Sequence, residues 1–172
     1  MPSVDAARPA RCTACGAASS PPGQGLRLHG HGVRERMRLG PEELGGRSVV
    51  ASIAVRRYRC LRCSAVLVVV PRGVLPRLRY GAVAIALALA RWGVDGLSAA
   101  YVRAEVSPDR YLGHDARRGW RSLRRWARAP PWPVTVTGAP RQRAARIAQY
   151  LASHALEQGR LTALACAGAL VA

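Results

Sequence analysis

The chain has 172 residues, 49% of them hydrophobic, which supplies a real core and excludes wholesale disorder. It carries 27 basic residues, all arginine, against 9 acids, for a net charge of +18, and it has no phenylalanine. A folded chain this basic repels itself unless a polyanion or anionic surface takes up the charge, and nucleic acid is the usual partner.

The excess is spread along the chain: +7 over residues 1–71, +8 over 72–131 and +3 over 132–172. Residues 1–10 contain Pro2 and Pro9 and no apolar run, so no secretory signal is expected. The longest apolar stretches, residues 81–90 and 161–172, fall well short of the ~20 needed to cross a bilayer and read as buried helices. A cytoplasmic, nucleoid-associated protein with no membrane partner is the expectation, and there thiols stay reduced.

In chain order, glycines 23, 25, 30 and 32 with Pro21-Pro22 punctuate the start. Residues 26–39 alternate as a strand, with Arg34, Arg36 and Arg38 on one side and Val33, Met37 and Leu39 on the other. A turn-rich piece follows from Gly40-Pro41 to Gly45-Gly46. Residues 49–58 are β-branched and alternating, a second strand, and residues 65–70 a short third one. Pro71, Gly73 and Pro76 form a link.

From residue 79 the pattern turns helical. Residues 79–92 alternate Val83, Ile85, Leu87 and Leu89 with alanine, but their length and five alanines favour helix. Ser98 is a candidate N-cap for residues 99–106. Ser107-Pro108-Asp109 reads as a further helix start, and Asp115 as the cap of a helix through Arg128, ended by prolines 130, 131 and 133. An amphipathic helix over residues 140–157 and a buried one over 161–171 complete an α+β chain.

Two C-x-x-C pairs carry the clearest chemistry, Cys12 with Cys15 and Cys60 with Cys63. Each pair grips one ion from one side, and together they complete the tetrahedron of soft sulfur ligands that Zn2+ prefers. Gly16 suits the sharp turn after the first pair, and Ser64 suits the second less well. The second pair sits between two strands, as in a zinc ribbon; the 44-residue gap is long, and the Gly/Pro loops near 19–25 and 40–47 account for the excess. Four sulfur ligands leave no place for water, so the zinc is expected to be structural. Haem attachment lacks its histidine, since Gly16 and Ser64 hold those positions. Cys166 reads as a small buried hydrophobe, and His29 and His31 as exposed or phosphate-facing groups.

Around residues 117–128, Trp120, Leu123, Trp126 and Ala127 form an apolar stripe. Arg117, Arg118, Arg121, Arg124, Arg125 and Arg128 fall mainly on the other side, a face that suits phosphates and guanine edges in a major groove. A solvated face of a bundle helix has the same pattern.

The C-x-x-C-G motif, "RRYRCLRC" (56–63), "VVVPRGVLPRLRY" (68–80), "GLSAAYV" (96–102) and "SLRRW" (122–126) together resemble bacterial zinc-ribbon proteins associated with insertion sequences, and the front end of transposases. The resemblance covers roughly residues 11–128. From this and the helical pattern beyond it, the chain is expected to divide into a zinc ribbon over residues 1–75, a helix-turn-helix-like helical domain over 76–130, and C-terminal helices over 131–172 packing on it. The resemblance also implies double-stranded DNA as partner, with Ser122, Arg124 and Arg125 on the recognition helix and Trp126 beneath. The connection over residues 107–116 exceeds the compact turn of about 3–4 residues usual in that motif.

No catalytic residue is expected. After Asp115 only Glu157 remains, too few acids for the three-carboxylate centre of a transposase, and no G-x-S-x-G, Walker A or HExxH motif occurs. A DNA-binding accessory or remnant of a mobile element is the leading reading. An RNA or ribonucleoprotein component, and a scaffold whose apolar tail over 161–172 docks a partner, stay open beside it.

Overall fold

The computed structural model describes residues 2–109, 120–155 and 159–171. Among them three strands precede five helices: β1 (Leu28–Gly40), β2 (Val49–Cys60), β3 (Val66–Val69), α1 (Ala82–Gly93), α2 (Ala99–Val106), α3 (Arg121–Arg128), α4 (Pro140–Ala152) and α5 (Leu161–Gly168). The α+β order matches the expectation. β2 lies between β1 and β3, and pairs antiparallel with β3 from Arg56 opposite Val69 to Arg59 opposite Val66. The chain divides into two compact units, Met1–Met37 with Ser52–Pro71, and Arg38–Ala51 with Arg72–Ala172.

The first unit has a small core of Cys12, Ala17, Leu28, Tyr58, Cys60 and Leu67. Tyr58 faces Leu67 across the ladder and both are buried, whereas Val66 and Val68 on the other face of β3 are exposed. The N-terminal segment runs along this sheet. The Tyr58 hydroxyl donates to the Val4 carbonyl (2.6 Å) and Arg56 Nε to that of Pro2 (2.8 Å).

The alternation of β1 does not become an inside and an outside. Of Val33, Met37 and Leu39, placed opposite the arginines, Val33 and Met37 are 45% and 50% exposed, and only Leu39 is buried. The reason is topological: β3 is short and pairs only with Arg56–Arg59, so most of the hairpin is a two-stranded ribbon without a third strand.

In the second unit α1 is the hub, packing on α2, α3, α4 and α5. Every residue from Ala82 to Ala90 is buried, which is why no polar stripe marked the helix in the sequence. Its alanines let neighbouring helices approach closely. Tyr80, Trp120 and Trp126 meet edge to face at centroid distances of 5.0–5.5 Å, a geometry that adds to their area burial. The buried Tyr80 hydroxyl donates to Ser107 Oγ (3.0 Å).

Ser98 caps α2 as expected, accepting from the Tyr101 N–H (3.1 Å). α4 starts at Pro140 and ends at Ala152. Glu157, Asp115, and residues 110–119 of the predicted helix starts and of the long connection lie outside the described residues.

At the contact of α1 with α4, a methyl group on Gly93 would stand 2.3 Å from the Ala145 backbone nitrogen and 2.8 Å from the Ala144 carbonyl carbon. Gly93→Ala should therefore destabilise the helical unit by about 1–3 kcal/mol. Gly159→Ala, where the new methyl meets only Leu164 at 3.9 Å, should shift stability by less than about 0.5 kcal/mol. Urea unfolding followed by tryptophan fluorescence measures both, because Trp92, Trp120, Trp126 and Trp132 all belong to this unit.

Candidate metal centre and basic helix

Each C-x-x-C pair sits at the tip of a short antiparallel turn, and the two tips are built alike. In the first, Arg11 bridges Ala18, the Cys12 N–H donates to Ala17 (2.8 Å), and the Gly16 N–H donates back to Cys12 (2.9 Å). In the second, on the β2–β3 hairpin, the Cys60 N–H donates to Ala65 (2.9 Å) and the Ser64 N–H to Cys60 (2.8 Å). The turn needs a left-handed residue at its fifth position, directly after the second cysteine. Gly16 (φ 69°) meets that need without steric cost, and Ser64 adopts the same conformation (φ 59°).

Backbone bonds tie the two tips together through the loop before β1. Ser19 donates to Ala10 (2.9 Å), Arg27 to Ser19 (2.8 Å), and Leu61 to Arg27 (2.9 Å). Cysteines 45 and 51 residues apart are thereby brought face to face. Cys12 Sγ lies 3.7 Å from Cys63 Sγ, and Cys15 Sγ lies 3.8 Å from Cys60 Sγ. All four sulfurs lie within 4.8 Å of one another, a cluster that can hold a metal ion. A tetrahedron of sulfurs at ~2.3 Å from a central ion has edges of about 3.8 Å, so the donor set fits such an ion. The long gap between the pairs is filled mainly by the two strands of the hairpin, with the loops contributing less than expected.

The thiols are not equivalent. Cys12 and Cys60 are buried, Cys15 is half-buried and Cys63 is exposed. The backbone N–H of Cys63, assisted by that of Arg62 and by the neighbouring thiols, holds the Cys60 thiol down to about 7 against the effect of burial. At Cys63 the backbone N–H of Ala65 acts to lower the thiol, but the Cys15 contact, desolvation, and the Cys60 and Cys12 contacts outweigh it and push it up to about 12. Cys166, in α5, stands apart: burial pushes it up to about 12 as well, as suits an inert core residue. His29 and His31 are exposed and outside the cluster, His29 Nε2 lying 2.8 Å from the Leu26 carbonyl.

The basic helix α3 divides as its sequence predicts. Trp120, Leu123, Trp126 and Ala127 are buried, Arg121, Arg124, Arg125 and Arg128 are exposed, and Ser122 is half-buried. Arg117 and Arg118 lie outside the described residues. Arginine opens the helix, its first turn has no acid, and no side chain caps it. The positive end of the helix dipole disfavours Arg121 in the first turn, whereas Arg125 and Arg128 in the last turn stand where the dipole favours cations. None of the four exposed arginines forms an ion pair among the described residues.

Two groupings escaped sequence reasoning. Arg91 on α1 is held between Asp95 and Glu105 (both 3.1 Å), of which only the four-residue spacing to Asp95 was legible. Arg27, Leu61 and Arg62 line an open depression of about 550 Å³ beside the second turn. No local pattern links residue 27 to residues 61 and 62. Comparison with protein-family models, curated proteins and solved structures finds no significant match to this chain.

Two outcomes follow from the centre's geometry. Replacing Ser64 by glycine removes the cost of a left-handed serine and should stabilise the metal-loaded first unit by about 0.5–1 kcal/mol, read by amide exchange of the Tyr58 N–H. Metal binding requires thiolates, so affinity must fall as pH falls. With the Cys63 thiol pushed up to about 12, at least one proton should leave per ion bound at about pH 8, measurable with an indicator dye during cobalt(II) titration. Binding without proton release would exclude Cys63 as a ligand.

Proposed function

We propose that this chain is a duplex-DNA-binding protein, with Cys12, Cys15, Cys60 and Cys63 holding a structural zinc ion in a zinc-ribbon unit. The basic face of α3 carries the reading. Four exposed arginines stand on an eight-residue helix over a buried Trp/Leu stripe, with no acid in its first turn. An eight-residue helix is about 12 Å long, close to the width of a major groove. Arg121, Arg124, Arg125 and Arg128 then reach phosphates and guanine edges, together with Arg117, Arg118 and Ser122, while Trp120 and Trp126 fix the helix from beneath.

Zinc fits the centre because the donors are four soft thiolates at tetrahedral spacing. With all four positions filled by sulfur, the ion organises the fold and activates no water. Four of the seven described acids are engaged in ion pairs: Asp5 with Arg8, Glu42 with Arg38, and Asp95 and Glu105 with Arg91. Action by binding, as the accessory or remnant of a transposase, agrees with this chemistry and with the motifs "RRYRCLRC" and "SLRRW". Duplex is favoured over single-stranded RNA because Tyr101 is the only large aromatic exposed among the described residues, and single-strand recognition depends on aromatic stacking.

Fluorescence anisotropy across a salt series, with a DNA duplex and a single-stranded RNA in parallel, tests the reading. Duplex binding should be tighter and steeply salt-dependent. Arg124→Ala with Arg125→Ala should weaken it by roughly tenfold or more without changing tryptophan fluorescence. Equal or tighter RNA binding that ignores these substitutions would overturn it.

A further inference from the structure

We propose that Arg27 and Arg62, set about Leu61 at the second cysteine turn, form a phosphate clamp through which the metal-binding unit itself grips the DNA backbone. The inference rests on the duplex-binding reading and deepens it, since it assigns a DNA contact to a unit whose role would otherwise be structural alone.

The first observation is shape. Arg27, Leu61 and Arg62 line one depression open to solvent, and Leu61 is 61% exposed. The depression thus joins two cationic side chains to one exposed apolar one. It suits a contact in which a phosphate lies between the arginines and the adjoining sugar covers the leucine.

The second is rigidity. The Leu61 N–H is held by the Arg27 carbonyl (2.9 Å), and the Arg27 N–H by Ser19 (2.8 Å). The Arg62 N–H is directed at the Cys60 sulfur. The backbones of Arg27 and Leu61 are thus fixed by the bonds that bring the four thiols together, and that of Arg62 by the Cys60 sulfur, so the two arginine side chains start from ordered main-chain positions. Preorganisation of this kind lowers the ordering cost of binding. The Arg27 guanidinium is further steered by Gln24 Oε1, a neutral partner that leaves its charge uncompensated.

The third is charge. The unit holds nine arginines against two acids, Asp5 and Glu35. Asp5 pairs with Arg8, and Glu35 accepts from Ser52 (3.2 Å). Neither acid is paired with Arg27 or Arg62.

The test uses the full chain loaded with zinc and the same duplex salt series, comparing the unsubstituted protein, Arg27→Gln with Arg62→Gln, and Arg124→Ala with Arg125→Ala. Loss of one phosphate contact should reduce the slope of log K against log salt by about one and weaken binding roughly tenfold on every duplex sequence alike. The thiolate-to-metal absorption of the cobalt(II) form should stay unchanged, which separates a lost contact from a lost fold. If that absorption changes in the double variant, the exposed Arg62→Gln alone is read in the same way. Unaltered affinity and slope in the Arg27/Arg62 variants, with the α3 variant weakened, would overturn the clamp and leave the duplex reading standing. Absence of duplex binding by the unsubstituted chain would overturn both.

Discussion

The convergence of four thiols is the constraint on which the first unit depends. Its buried core has six residues, and two of them are the cysteines Cys12 and Cys60. A hydrophobic cluster of that size does not offset the chain entropy of nearly sixty residues, and small domains need a further staple. The backbone bonds between the cysteine turns supply alignment, because each turn presents its sulfurs through the same pair of main-chain bonds. They do not supply much net energy, since water competes for the same groups. On the proposed reading, coordination of an ion by the four thiols is the remaining source, because metal binding at such a site is folding energy.

The second unit reaches stability by the opposite route. Its core is large, continuous and centred on α1, whose run of alternating alanine and larger aliphatic residues is buried on every side. Alanine gives close helix approach and the larger residues give volume, so density is reached without a metal or a disulfide. Small residues at helix contacts mark the same strategy. A Cβ on Gly168 of α5 would meet the Leu151 carbonyl at 1.7 Å, and one on Gly93 would meet the backbone of α4.

Most element types were legible because they rest on local signals. The Ser98 cap, the proline that opens α4, the β-branched run of β2 and the paired C-x-x-C motifs each act within a few residues. The four-cysteine cluster was readable because two-residue spacing has few other uses, and the apolar stripe of α3 because its period is that of a helix. What escaped the sequence is non-local. The exposure of Val33 and Met37 depends on the shortness of β3, and the Arg27–Leu61–Arg62 depression depends on a backbone bond between residues 34 apart. The left-handed serine at 64 was only half legible: the turn's need was plain from Gly16, but its steric cost to serine does not prevent the conformation when four ligands require it.

The two routes to stability explain how the chain tolerates so much positive charge. Arg36 shows the strain of it, since burial foremost and then the charge of Arg34 act to lower its affinity for a proton. On α3 the helix is held from beneath by Trp120 and Trp126 in an aromatic cluster with Tyr80. At the second cysteine turn, Arg27 and Arg62 are held by main-chain bonds that need no countercharge. In both places uncharged interactions fix the position, and the cations are left to solvent. A protein stabilised by its own ion pairs would spend its arginines internally. Among the described residues Arg8, Arg38 and Arg91 pair with acids, and on the proposed reading the exposed cations of α3 and of the second cysteine turn are the ones available to an external polyanion.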